Sequence, residues 1–108
     1  MVALWTSDDP EVALNMLFMY LKNARLNNWW DEVTLVIWGP SAKLSVEDEM
    51  ITEGLKELKA EGVILEACVV CADRYGVAEE LEKLGVVVRP MGEPLSNYIK
   101  EGKNIIAV

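Results

Sequence analysis

The chain has 108 residues, 52% hydrophobic and 26% charged, with ten basic against eighteen acidic side chains and a formal net charge of −8. That is a folding composition at a length that limits the chain to one domain over residues 1–108, and the acid excess argues against a nucleic-acid partner. Histidine is absent and there are two cysteines, which excludes a Ser-His-Asp triad, a Cys-His dyad and a histidine or four-cysteine zinc site.

Taken in chain order, Val2 to Thr6 is a short apolar run ending in Ser7-Asp8-Asp9-Pro10. Asp9 followed by Pro10 is an N-cap with proline at the first helical position. The helix it predicts runs from about Pro10 to Asn27. Its apolar residues Val12, Ala13, Leu14, Met16, Leu17, Phe18, Met19, Tyr20 and Leu21 nearly encircle it, more than one core-facing stripe requires. Val33 to Trp38 is a β-branched strand closed by Gly39-Pro40-Ser41. Ser45-x-x-Asp48 resembles a capping box for a helix carrying Ile51, Leu55 and Leu58 and ending at Gly62. Val63 to Cys68 is a third strand. The segment from Cys68 to Gly76 leads into a helix with Val77, Leu81 and Leu84 on one face, ended by Gly85. Val86 to Arg89 is a fourth strand, Pro94 opens a last helix over about Leu95 to Glu101, and Asn104 to Val108 is a fifth strand.

Five strands therefore alternate with four helices. Strands that are unbroken apolar runs are buried on both faces, which means a parallel sheet between helices. The expected fold is α/β: a flavodoxin-like three-layer domain with a five-stranded, mainly parallel sheet and helices on both faces. In such sheets ligands bind outside the carboxyl ends of the strands. Those ends are Ser7-Asp8, Gly39-Pro40-Ser41, Cys68 to Cys71 and Met91-Gly92.

Cys68 is the leading candidate for chemistry. It stands where the third strand gives way to a helix, whose first N–H groups favour a thiolate, and Arg74 lies in the same turn. The plainer reading is a small buried residue that ends a core strand. Cys71 follows at C-x-x-C spacing; on a helical turn the two sulfurs come within disulfide reach. No Gly-Pro or Pro-Tyr separates the cysteines and no tryptophan precedes them, so a thioredoxin motif fits less well. Trp5 and Trp38, near the ends of strands one and two, either line the pocket faced by Cys68 or are core aromatics. Ser7, Asp8, Gly39, Ser41, Arg74 and Met91 complete the candidate lining. Gly39-Pro40-Ser41 has too few glycines for a phosphate loop. The acidic clusters Glu47-Asp48-Glu49 and Glu79-Glu80-Glu82 are solvated helix faces. No pattern calls for a cofactor or a metal.

The ring of apolar residues on the first helix, with a mean hydropathy of +0.16, points to a homo-oligomer in which one face of that helix meets a partner subunit; the alternative is a wide core stripe. No apolar run approaches the roughly 20 residues of a membrane span. Met1 to Pro10 lacks the basic residues of a secretory signal. A paired C-x-x-C then points to a reducing, cytoplasmic setting.

The segment Ala67-Cys68-Val-Val-Cys71-Ala-Asp-Arg-Tyr-Gly76-Val77 resembles the DsrE/DsrF-like (YchN-like) family of small sulfur-relay proteins. The likeness continues through Gly85-Val-x-Val, Met91-Gly92 and Pro94-Leu95-x-x-Tyr98-Ile-Lys-x-Gly102, over roughly the second half of the chain. The family's short signature, a cysteine after the third strand with a glycine eight residues on, falls on Cys68 and Gly76. The resemblance implies a flavodoxin-like domain in trimers or hexamers, and a cysteine that carries sulfane sulfur between donor and acceptor proteins, here Cys68. Cys71 matches the second cysteine of some members, although the relay subunits themselves lack the pair. The expected function is a sulfur-transfer or persulfide-carrier protein, a sulfurtransferase-like carrier. The alternatives are a non-catalytic oligomeric module that binds a small ligand or partner through Trp5 and Trp38, and a dithiol/disulfide oxidoreductase using both cysteines.

Overall fold

The computed structural model describes residues 1–108. Strand β1 (Val2–Trp5) is followed by α1 (Pro10–Val12), a π-helical stretch (Ala13–Phe18) and α2 (Met19–Leu26), which run on as one rod. Then come β2 (Thr34–Ile37), α3 (Pro40–Glu47), α4 (Glu49–Ala60), β3 (Ile64–Cys68), α5 (Val69–Tyr75), α6 (Ala78–Lys83), β4 (Val87–Arg89), α7 (Gly92–Lys100) and β5 (Ile105–Ala107). Every strand pair is parallel, in the order β4-β3-β2-β1-β5. This is the α/β sheet with helices on both faces that the alternating pattern predicts.

Asp9 caps the first rod as expected, its carboxylate accepting the Glu11 N–H at 2.9 Å, with Pro10 next in line. The capping box at Ser45 does not form. Pro40 starts a helix of its own, α3, because proline suits the first turn and the preceding Gly39 takes φ +70°. Ser45 is buried in that helix and donates its hydroxyl to the Ser41 carbonyl at 2.7 Å. Asp48 alone caps α4, accepting from the N–H groups of Met50 and Ile51 at 2.9 and 3.2 Å. The stretch after Cys68 is a helix from its first residue, closed by Gly76 in the left-handed region at φ +68°.

Strands β1 to β4 add successively toward one edge, and β5 returns to the far side of β1. Right-handed crossovers then place the rod, α3, α4, α5 and α6 on one face and α7 on the other. The side chains divide accordingly. Ala3, Trp5, Leu35, Ile37, Leu65 and Ala67 belong to the large core with Leu17, Leu21, Ile51, Leu55, Leu58 and Leu81. On the opposite face Val2, Val36, Cys68 and Met91 form a separate small cluster. The order of strand addition reverses between β1 and β5, where open α/β sheets commonly hold ligands. Here that crevice is stitched shut: Thr6 N–H and Ser7 N–H donate to the Val108 carbonyl at 2.8 and 3.3 Å.

The second neighbour of the first rod is α4 of the same chain. Gly54 has no Cβ, and the Phe18 ring fills the space where one would sit. Much of the apolar ring is therefore absorbed within the chain; what remains outside is chiefly Met16 and Met19, 48% and 55% exposed. No helix is long and apolar enough to cross a membrane.

Candidate functional site

Cys68 is the last residue of β3 and the N-cap of α5, with φ −69° and ψ 121°. The strand passes into the helix without a loop, so Cys71 lies one helical turn further on. Both thiols are free; Cys68 is buried at 5% exposure and Cys71 is half-buried. Gly39, at the carboxyl end of the neighbouring β2, donates its N–H to Cys71 Sγ at 3.3 Å. Burial raises the Cys71 thiol pKa, the Gly39 N–H pulls it back, a hydrogen bond and charge from Cys68 push it up again, and Arg74 lowers it least of all. The balance is upward, so Cys71 favours its protonated form. Arg74 itself sits exposed in the last turn of α5.

The sequence candidates separate into two groups around these thiols. Met91 is fully buried in the same cluster as Cys68, and Trp38 and Cys71 pack against that cluster. Gly39 joins them through its hydrogen bond. Trp5 lies across the sheet: it is fully buried and meets Phe18 edge-to-face at 5.1 Å. Its inward turn follows from strand alternation, since Trp5 pairs in register with Ile37 and Ala67. Ser41 is a clamp, donating to the Trp5 carbonyl at 2.5 Å and within 3.0 Å of the Trp38 carbonyl. Ser7 and Asp8 belong to the end of β1, two strands from Cys68; Ser7 Oγ accepts the Asp9 N–H at 3.1 Å and Asp8 is exposed.

A second polar group on the Cys68 face is invisible to motif reasoning. Glu66 precedes Cys68 by two residues on β3, so both side chains emerge on the same side of the sheet. Its carboxylate is buried, with 5% of the side chain exposed, and is bound by the Arg89 guanidinium and the Tyr98 hydroxyl. Arg89 Nη2 also donates to the Tyr98 oxygen at 3.2 Å. Arg89 stands opposite Cys68 in the β3–β4 ladder, and Tyr98 comes from α7. Burial pushes the Tyr98 phenol up, the Glu66 hydrogen bond and charge push it further, and its pKa reaches about 12. For Arg89 burial works against the charge, but the hydrogen bond and charge of Glu66 outweigh it and raise the pKa. The one available sequence signal was a glutamate at an alternating position inside an apolar strand.

The model of the DsrE/DsrF-like family matches residues 7–108. The chain belongs to that family. A conserved protein of unknown function from Bacteroides thetaiotaomicron has a solved structure with TM-score 0.97 and 36% sequence identity, over 99% of this chain and 92% of that one. The YchN protein of E. coli matches with TM-score 0.72 and 16% identity, over 99% and 97% of the two chains, a likeness of fold alone. No curated protein matches the sequence significantly. At the level of the family, membership implies a sulfur-relay role.

In this DsrE/DsrF-like chain Cys68 stands at the strand end, and Gly76, with a φ of +68°, closes the helix that begins after Cys68. A residue with a Cβ is strained in that conformation, so the glycine fixes the length of the cysteine helix. Two thiols on one helical turn, held in a half-buried apolar wall, can accept a sulfur atom on one and release it through the other, or close on each other. No group of three Cys, Asp or Glu side chains comes together in a way that would hold a metal ion.

Proposed function

We propose that this protein carries sulfane sulfur on Cys68, with Cys71 as an auxiliary thiol, in a homo-oligomer that exchanges sulfur with donor and acceptor proteins in a reducing, cytoplasmic setting. The observation that carries the reading is a free cysteine at the carboxyl end of β3, one helical turn from a second free cysteine. In the loading step the Cys68 thiolate attacks the outer sulfur of a donor persulfide. A new S–S bond forms on Cys68, the donor S–S bond breaks, and the donor thiolate leaves with the electron pair and takes up the proton; no external oxidant is needed.

Intact-mass measurement after incubation with a low-molecular-weight persulfide tests this. The parent and Cys71→Ser proteins gain one sulfur atom, and Cys68→Ser does not. Equal gain by Cys68→Ser defeats the assignment. A dithiol/disulfide cycle is the second reading, favoured by the placing of two free thiols one helical turn apart; absence of a Cys68–Cys71 disulfide under mild oxidant removes it. The ligand-binding module has less support, because Trp5 is committed to the core and Trp38 alone stands near the thiols.

Assembly as a trimer or hexamer is supported by apolar side chains left in solvent at several places. Ile64 and Val87, 42% and 52% exposed, lie on the sheet face that carries Cys68, and Met16 and Met19 lie on the first rod. Sedimentation at micromolar concentration should give a trimer or larger, and a clean monomer refutes it.

A further inference from the structure

A sulfur carrier has to bring its thiol to another molecule, yet Cys68 is 5% exposed. The side chains that close it off lie on the face covered by a single helix. Met91, fully buried beside Cys68, is the residue from which α7 starts, and Tyr98 of α7 packs against the same cluster. Helix α7 has no buried residue of its own, and its Ile99 is 60% exposed. Apolar burial therefore does little to fix where it sits. The polar group in its last turn does more: Tyr98 donates to a carboxylate buried in β3, which is also bound by Arg89 from β4.

The carboxylate is buried while the Arg89 side chain is 43% exposed, and such an ion pair is a poor device for stability alone. Its use is to specify one arrangement. We propose that Glu66, Arg89 and Tyr98 form a latch that holds α7, and Met91 with it, over the Cys68 thiol, and that local release of this latch is the step that opens the thiol to its donor or acceptor. The proposal rests on Cys68 being the sulfur carrier. All three members converge at one point: Glu66 lies two residues from Cys68 on its strand, Arg89 stands opposite Cys68 in the ladder, and Tyr98 comes from the covering helix. Breaking one point frees the cover without disturbing the large core on the other face. Openings of this kind, local and low in free energy, belong to segments with few buried apolar contacts.

Alkylation by N-ethylmaleimide under native conditions tests it, with each thiol read alone in Cys71→Ser and Cys68→Ser backgrounds. Tyr98→Phe keeps the ring and removes the hydroxyl; Glu66→Gln keeps the shape and removes the charge. Each should speed alkylation of Cys68 about tenfold, the scale of one hydrogen bond to a charged group, while Cys71 changes less than about twofold. A Cys68 rate unmoved by both variants overturns the latch. So does an equal acceleration of both thiols, which is general loosening. Should Glu66→Gln fail to fold, Tyr98→Phe decides alone. Persulfide loading of the parent protein, followed by mass, separates this from the carrier reading. No loading with a Tyr98-sensitive Cys68 defeats the carrier and leaves the latch; loading with an insensitive Cys68 does the reverse.

Discussion

The two faces of the sheet are covered by different means. On one, the first rod and α3 to α6 bury Trp5, Leu35, Ile37 and Leu65 against Leu17, Leu55 and Leu58, and the packing is mainly apolar, with Ser41 and Ser45 as hydrogen-bonded exceptions. On the other, one short helix with no buried residue lies over a small cluster that includes a thiol, and its firmest contacts run to a buried carboxylate. The first arrangement is what a parallel sheet requires for stability. The second gives up apolar burial for polar contacts that one bond can undo. The difference teaches where to look: the fold rests on the thick face, and the Cys68 thiol and the buried Glu66 carboxylate lie on the thin one.

Substitutions on the two faces should therefore differ most of all in stability. Leu55→Ala, at a position fully buried on the thick face, is expected to cost about 3 kcal/mol in urea unfolding. Ile99→Ala, on α7, should stay within about 0.5 kcal/mol. Equal losses would abolish the distinction between the faces. Next in size is Gly54→Ala. On an exposed helix this change gains up to about 1 kcal/mol from propensity. Here the added Cβ falls 2.7 Å from Phe18 Cδ2, and that ring cannot swing away because it is wedged edge-on against Trp5. A net loss of about 1–2 kcal/mol is expected. A gain would mean that the rod and α4 slide apart easily, contrary to a tightly packed thick face.

The contrast also explains what could be read from the sequence. The strands, the rod and its Asp9-Pro10 start were legible because their patterns are local: alternation, periodicity and a cap. Cys68 and Gly76 were legible because punctuation marks them. Helix α3 was missed because Gly39-Pro40 signals a turn and a helix start equally well, and only tertiary context chooses. Trp5 and Trp38, one strand position from equivalence, could not be assigned to a face until the register was known; it places one in the core and the other beside the thiols. The trio of Glu66, Arg89 and Tyr98 was out of reach altogether. Its members are 23 and 9 residues apart along the chain and meet only because β4 and α7 fold back onto β3.

The smallest effect expected is spectroscopic, and it examines the thin face directly. The folded Tyr98 phenol holds its proton up to about pH 12, against an ordinary value of 10.0. A group whose pKa is raised on folding contributes stability that is complete below its unfolded pKa and disappears as pH climbs through the folded one. The contact between α7 and the sheet should thus be intact at neutral pH and weaken between about pH 10 and 12. Phenolate absorbance should show a late component near 12 that is lost in Tyr98→Phe. In Glu66→Gln it should move down toward the ordinary value, because the carboxylate's hydrogen bond and charge are gone while burial remains. If the late component survives both substitutions, another tyrosine is responsible and the thin face lacks the polar tie ascribed to it. If it moves as expected while Leu55→Ala leaves it in place, the two faces answer to different interactions within one small sheet.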